Sequence, residues 1–297
     1  MRLSIEGVMP PHITPFDKDE EVDEAALRKL IHFWLDGGAS GLVSCGSNGE
    51  APYLTRDERR KVIQTVVDEV DGKVPVIAGT GAPSTRETIV YTKDAKELGA
   101  DAALIVSPYY FKPDKKELLQ HYKAVLEAVD IPVILYNVPK FTGYNLEPSI
   151  IVQLANEYDQ IVAVKDSGGS IGQISDLASQ VGGRISVLSG SGDLILPTFV
   201  MGGKGAIVAV AIVAPSICAD IYRFFKKKDV ERAVEAQRKA LRLNEVLIRR
   251  FNQISSVKEA LSQLGQPAGY PRRPSLPLDE ESRQEVRKVL SEISVKK

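Results

Sequence analysis

The chain has 297 residues, with 38 Lys and Arg against 39 Asp and Glu and a formal net charge of −1, which leaves no electrostatic reason to bind nucleic acid or an acidic membrane surface. Hydrophobic residues at 43% and charged residues at 26% exclude a disordered or fibrous chain, and the length suits one large α/β domain or two ordinary ones. Cys45 and Cys218 alone cannot make a disulfide framework.

From the N-terminus, MRLSIEGVMPPHITPF is broken by prolines where a signal peptide has an unbroken apolar core. No later apolar run is long enough to span a bilayer; GAIVAVAIVAP (205–215) is too short. A cytoplasmic protein with no membrane partner is expected. The remaining chain alternates short β-rich apolar runs with amphipathic stretches. The runs are 7–16, 41–46, 74–81 and 102–110, then 132–139, 161–167, 185–191 and 205–215. Between them, stretches such as 22–38, 55–70 and 115–129 repeat apolar residues at three and four, the period of a helix with one buried face. Thr55 and Glu58 have capping-box spacing, and Gly37, Gly72, Gly99 and Gly182 stand where helices should stop.

The strand-like runs are continuously apolar rather than alternating, so both faces should be buried, as in a parallel sheet covered by helices. Eight β–α units without a domain break favour closure into a (β/α)8 TIM barrel over an open doubly wound sheet. The pattern then turns purely helical. The expected division is a barrel over 1–228 and a C-terminal helical extension over 229–297, packed on the barrel.

In a barrel the reacting groups come from the C-terminal ends of strands and the loops after them. Lys165 follows IVAV, at the end of a strand expected to be buried. Burial there disfavours the charged amine, and a neutral amine condenses with a ketone to a Schiff base. A strand-end lysine that reaches water is the plainer reading, and Asp166 beside it could make a structural ion pair. Tyr136 holds the matching place on the preceding strand. At a strand spacing of about 4.8 Å its phenol can approach Lys165 and move protons, although a lone tyrosine is usually an interface or core residue. Ser47 and Asn48 lie in a glycine-flanked turn able to hold a carboxylate, or simply to turn. His12, His32, His121 and the two cysteines show no metal-ligand spacing. GTGAPS (79–84) lacks the third glycine of a dinucleotide loop, and Asp193 argues against a phosphorylated substrate.

Five motifs occur in order: GSNGE (46–50), PYY (108–110), YNVP (136–139), KDS (165–167) and LSG (188–190). Together they resemble the dihydrodipicolinate synthase / N-acetylneuraminate lyase family of Schiff-base pyruvate lyases, over essentially the whole chain. The resemblance implies a barrel with a helical tail, a homotetramer, and no metal or organic cofactor. It also implies that Lys165 forms an imine with pyruvate or a 2-keto acid. Tyr136 would donate and accept the proton, linked through Ser47 to Tyr110 of a neighbouring subunit. Ser47, Asn48 and the backbone at Ile207 would hold the keto-acid carboxylate.

Departures from the family pattern bear on the second substrate. The synthases carry an arginine two residues after YNVP for the carboxylate of aspartate semialdehyde; here that residue is Phe141, which cannot make a bidentate carboxylate contact. Lys140 is one residue off and is expected to point elsewhere. SNGE with KDSGG resembles 4-hydroxy-2-oxoglutarate aldolases and 2-keto-3-deoxy sugar-acid aldolases, in which the residues matching Ser167 and Gly190 contact the distal part of the substrate. The leading expectation is therefore a metal-independent aldolase that cleaves or forms a 4-hydroxy-2-keto acid from pyruvate and an aldehyde. The alternatives are 4-hydroxy-tetrahydrodipicolinate synthase and a non-catalytic keto-acid-binding barrel.

Overall fold

In the computed structural model, which describes residues 3–293, eight strands run parallel. They are β1 (Gly7–Met9), β2 (Leu42–Ser44), β3 (Val76–Gly79), β4 (Ala102–Val106), β5 (Val133–Asn137), β6 (Ile161–Asp166), β7 (Ser186–Ser189) and β8 (Gly205–Ile207). Each pairs with its successor from β2 to β8, and β8 pairs with β1. The last seam is closed from beyond the end of β1. The Val43 N–H donates to Pro10 O at 3.1 Å, and the His12 N–H donates to Val43 O at 3.1 Å. Pro10 and Pro11 have no N–H of their own, so the run 7–16 contributes only a three-residue strand before His12 resumes the pairing. The architecture is the (β/α)8 barrel.

The alternation of side chains along each strand sorts the core. Met9, Val43, Ile77, Leu104, Ile134 and Leu188 pack inside the barrel. Leu135, Val164 and Val187 face outward, against helices such as Pro148–Glu157 and Ile171–Val181. Each such side chain, fully buried, contributes about 1.5–3 kcal/mol, which is why runs apolar on both faces become interior strands.

Helix starts follow the sequence closely. Thr55 and Glu58 form a reciprocal capping box at Arg56–Val70, and Asp114 and Glu117 form a second at Lys115–Ala128. The run 205–215 departs from expectation. Only Gly205–Ile207 is strand, and Val210–Val213 is already helical before Pro215 opens Pro215–Lys226. An all-apolar run carries no periodicity to separate a buried strand from a buried helix.

Beyond the barrel the chain forms Val230–Asn244, Gln253–Gln263 and Glu280–Glu292. Between the first two, Glu245–Arg250 is a π-helical turn rather than a continuation of the α-helix. The extreme ends of the two expected regions, 1–2 and 294–297, lie outside the described residues. Among the described residues no helix is long and apolar enough to cross a membrane.

Candidate active site

Tyr136 and Lys165 are direct partners in the β5–β6 register. Tyr136 belongs to the inward-facing cluster, and the Lys165 Nζ lies 4.0 Å from the centroid of its ring. Both side chains are buried, at 6% and 4% exposure. One residue further along each strand, Asn137 and Asp166 are also register partners, and alternation turns them to the outer face. The Asp166 carboxylate accepts from Asn137 Nδ2 at 2.9 Å, Gln173 Nε2 at 2.6 Å and the Gly168 N–H at 2.9 Å. It is satisfied by amides on the far side of the strand, so the ion pair with Lys165 considered from sequence does not form.

Ser47 and Asn48 sit in the turn after β2, which is bracketed by left-handed backbone at Cys45 and Glu50. The Asn48 side chain is buried and its Oδ1 accepts from Gln253 Nε2 at 3.2 Å. A cavity of about 530 Å³ opens over these strand ends, lined by Ser47, Tyr109, Tyr136, Lys140 and Phe141 among others. Lys140 corrects the expectation that it points elsewhere. It lines this cleft and also a second cavity of about 350 Å³ beside Gly190. Its Nζ donates to Gln253 Oε1 at 3.0 Å, and partial burial holds its ammonium below the usual lysine range, opposed by the nearby Tyr136 phenol.

Ser167 and Gly190 are brought together at the ends of β6 and β7. The Gly190 N–H donates to Asp166 O at 2.6 Å, and a Cβ at residue 190 would stand 1.9 Å from the Ser167 Oγ. A side chain at residue 190 would force Ser167 to move. Ile207 ends β8 with its side chain inside the barrel. Tyr110 is not brought to the site of its own chain. It has a φ of 78° and 88% exposure, its ring packing only edge-on against Phe111.

Sequence reasoning missed the glutamate of GSNGE. The Glu50 carboxylate is buried and pairs with Lys258 Nζ at 2.5 Å, while its second oxygen accepts the Arg272 N–H at 2.9 Å. The signal available was Lys258 itself, a charge three residues before Leu261 on the apolar face of Gln253–Gln263. Arg59 was also missed. It lines the cleft, buried, donating to Gly79 O and Ala51 O at 3.0 and 3.1 Å.

A model of the dihydrodipicolinate synthetase family matches residues 4–293. The chain belongs to this family. Members are pyruvate-dependent carbon–carbon lyases, and this chain is an enzyme of that kind. It is 40% identical over 289 residues to the 4-hydroxy-tetrahydrodipicolinate synthase of Methanocaldococcus jannaschii, covering 97% of this chain and 99% of that one. Dihydrodipicolinate synthase from Aquifex aeolicus superposes with a TM-score of 0.94 at 37% identity, over 98% of this chain and 99% of the other. YagE, a prophage protein of the family from E. coli K12 solved in complex with pyruvate, does so at 0.94 and 31% identity, over 98% and 99%.

Proposed function

We propose that the chain condenses pyruvate with an aldehyde through a Schiff base on Lys165, and that the aldehyde is aspartate semialdehyde, as in 4-hydroxy-tetrahydrodipicolinate synthase. The observation that carries the chemistry is the inward pairing of Tyr136 and Lys165, with Nζ 4.0 Å from the ring. The Lys165 Nζ adds to the keto carbon and water leaves, forming an imine. The imine withdraws electrons, the proton leaving C3 passes to the Tyr136 oxygen, and the resulting enamine attacks the aldehyde carbon to make the new C–C bond. Tyr136 gives the proton that the aldehyde oxygen takes up, and the amine of the semialdehyde portion then displaces Lys165 from the imine carbon, closing the ring and restoring the lysine amine.

The turn at Ser47 and Asn48, with the end of β8 at Ile207, is the proposed seat of the pyruvate carboxylate. Tyr110, exposed on its own chain, is proposed to complete the proton relay of a neighbouring copy in a homotetramer, with the Ser47 hydroxyl as the link. Light scattering on the purified protein tests that assembly. The names of the relatives support the synthase reading of the partner aldehyde, and Lys140 supplies a cation inside the cleft.

The leading expectation from sequence, cleavage of 4-hydroxy-2-oxoglutarate or a 2-keto-3-deoxy sugar acid, becomes the second reading. Phe141 favours it, because the arginine position of the synthases is apolar here. Ser167 and Gly190 would then face the distal chain. Borohydride trapping with pyruvate, followed by peptide mass spectrometry, tests the shared chemistry: the expected result is a reduced pyruvyl adduct on Lys165. Turnover of pyruvate with aspartate semialdehyde, glyoxylate and glyceraldehyde in parallel then separates the readings. Activity confined to the last two would discard the synthase.

A further inference from the structure

We propose that Lys140 and Arg249 form the subsite that takes the distal carboxylate of the aldehyde partner, on the β7–β8 side of the barrel mouth. The proposal deepens the lyase reading above and rests on it for the identity of the ligand.

The second cavity, about 350 Å³, is lined by Lys140, Gly190, Ser191, Asn244 and Arg249 among others, with two cations and no carboxylate. It adjoins the cleft through Lys140, which lines both. An aldehyde condensing at Tyr136 would extend its far end past this ammonium. Lys140 has one donor engaged, by Gln253 Oε1 at 3.0 Å, out of the three an ammonium offers. Its partial burial lacks a carboxylate partner among the described residues and lowers its affinity for the proton; an arriving anion would offset that cost. The Phe141 ring, 5.5 Å from Nζ, also lines the cleft and favours a cation beside it.

Arg249 is held by an acidic neighbour. Its Nη2 pairs with Asp193 Oδ2 at 2.5 Å, and the other oxygen of Asp193 accepts from Ser191 Oγ at 2.5 Å. One engaged nitrogen leaves donors of the guanidinium fork free for a second carboxylate. The residue lies in the π-helical turn Glu245–Arg250, and an inserted π-turn of this kind re-aims side chains and recurs at functional sites. The synthase family's arginine after YNVP is thus replaced by cations contributed by the preceding residue and by the C-terminal helices.

The test uses unreactive diacids on the full-length protein. Pimelate carries its carboxylates at the spacing of the open-chain adduct of pyruvate and aspartate semialdehyde; heptanoate lacks the distal one. By calorimetry, wild type should bind pimelate at least about tenfold tighter than heptanoate, as expected for one charge-assisted contact of 1.5–3 kcal/mol. Lys140→Met and Arg249→Met should each weaken pimelate and leave heptanoate unchanged, and Arg249→Lys, which keeps the charge but not the fork, should recover part of the loss. Equal binding of the two acids by wild type, or weakening of both acids by the same factor in the variants, would overturn the subsite. Pyruvate trapping on the same samples keeps the two ideas apart. A missing Lys165 adduct with the pimelate effect intact removes the lyase reading alone, and an adduct without the pimelate effect removes the subsite alone.

Discussion

The Glu50 carboxylate and the Lys258 ammonium pair at 2.5 Å inside the protein, with side-chain exposures of 0% and 2%. Glu50 stands in the same short turn as Ser47 and Asn48, and Lys258 lies in the helix Gln253–Gln263. Lys258 also donates to Tyr270 O at 2.6 Å and sits 4.5 Å over the Phe16 ring. Burial pushes the Glu50 carboxyl up and the Lys258 ammonium down to about 8.

Breaking this pair from one side leaves an uncompensated buried charge, which costs about 3–5 kcal/mol. Lys258→Met should lower the urea midpoint by a corresponding amount, and the added substitution Glu50→Gln should recover part of it. A loss below about 1 kcal/mol in the single variant would show that water reaches the pair.

Tyr136→Phe keeps the ring beside Lys165 and removes only the hydroxyl. Turnover is expected to fall about 10²–10⁴-fold, the usual contribution of a positioned acid–base group, while borohydride still traps pyruvate on Lys165. Full turnover in this variant would move the proton transfer to another group.

Gly190→Ala places a methyl group 1.9 Å from the Ser167 Oγ. Ser167 or the strand end must shift, and overpacking of this kind costs about 1–3 kcal/mol. Ser167→Gly in the same chain removes the two closest atoms and leaves Asp166 O at 3.0 Å, so the double variant should regain part of the stability in a double-mutant cycle. Absence of coupling between the two positions would contradict the contact.

His12 is fully buried, its ring nitrogens against Ser44 Oγ at 2.7 Å and Ile13 O at 2.9 Å. Burial lowers its pKa from 6.5 to about 4, opposed by the Ile13 carbonyl. A base depressed in the folded state contributes stability above pH 6.5 that is lost as pH falls toward 4, because the unfolded chain takes the proton first. The loss approaches about 3 kcal/mol for the complete shift. The stability difference between wild type and His12→Gln, followed by circular dichroism in urea, should shrink across that window. A difference independent of pH would mean that His12 titrates normally.

Much of the barrel was legible because its strands are apolar on both faces and its helices on one, two patterns that differ in period. Lys165 and Tyr136 stood out for the same reason, as polar residues ending runs such as IVAV and VIL. What was hidden depends on contacts that local pattern does not encode. The strand-to-helix change within 205–215 has no periodicity to mark it. The inward aim of Lys140 follows from the short helix Pro139–Thr142, not from its distance to Phe141. Glu50 reads as an ordinary turn residue until Lys258, far along the chain, is brought against it.

Trp34, the only tryptophan of the chain, stacks on His12 at 5.2 Å and donates its indole N–H to Ile212 O at 3.0 Å. It thereby touches the segments that follow the first and the last strands, where the ring is joined. The protein carries its own optical gauge of that junction. A change in its fluorescence reports any loosening of those two segments against each other, with no label attached.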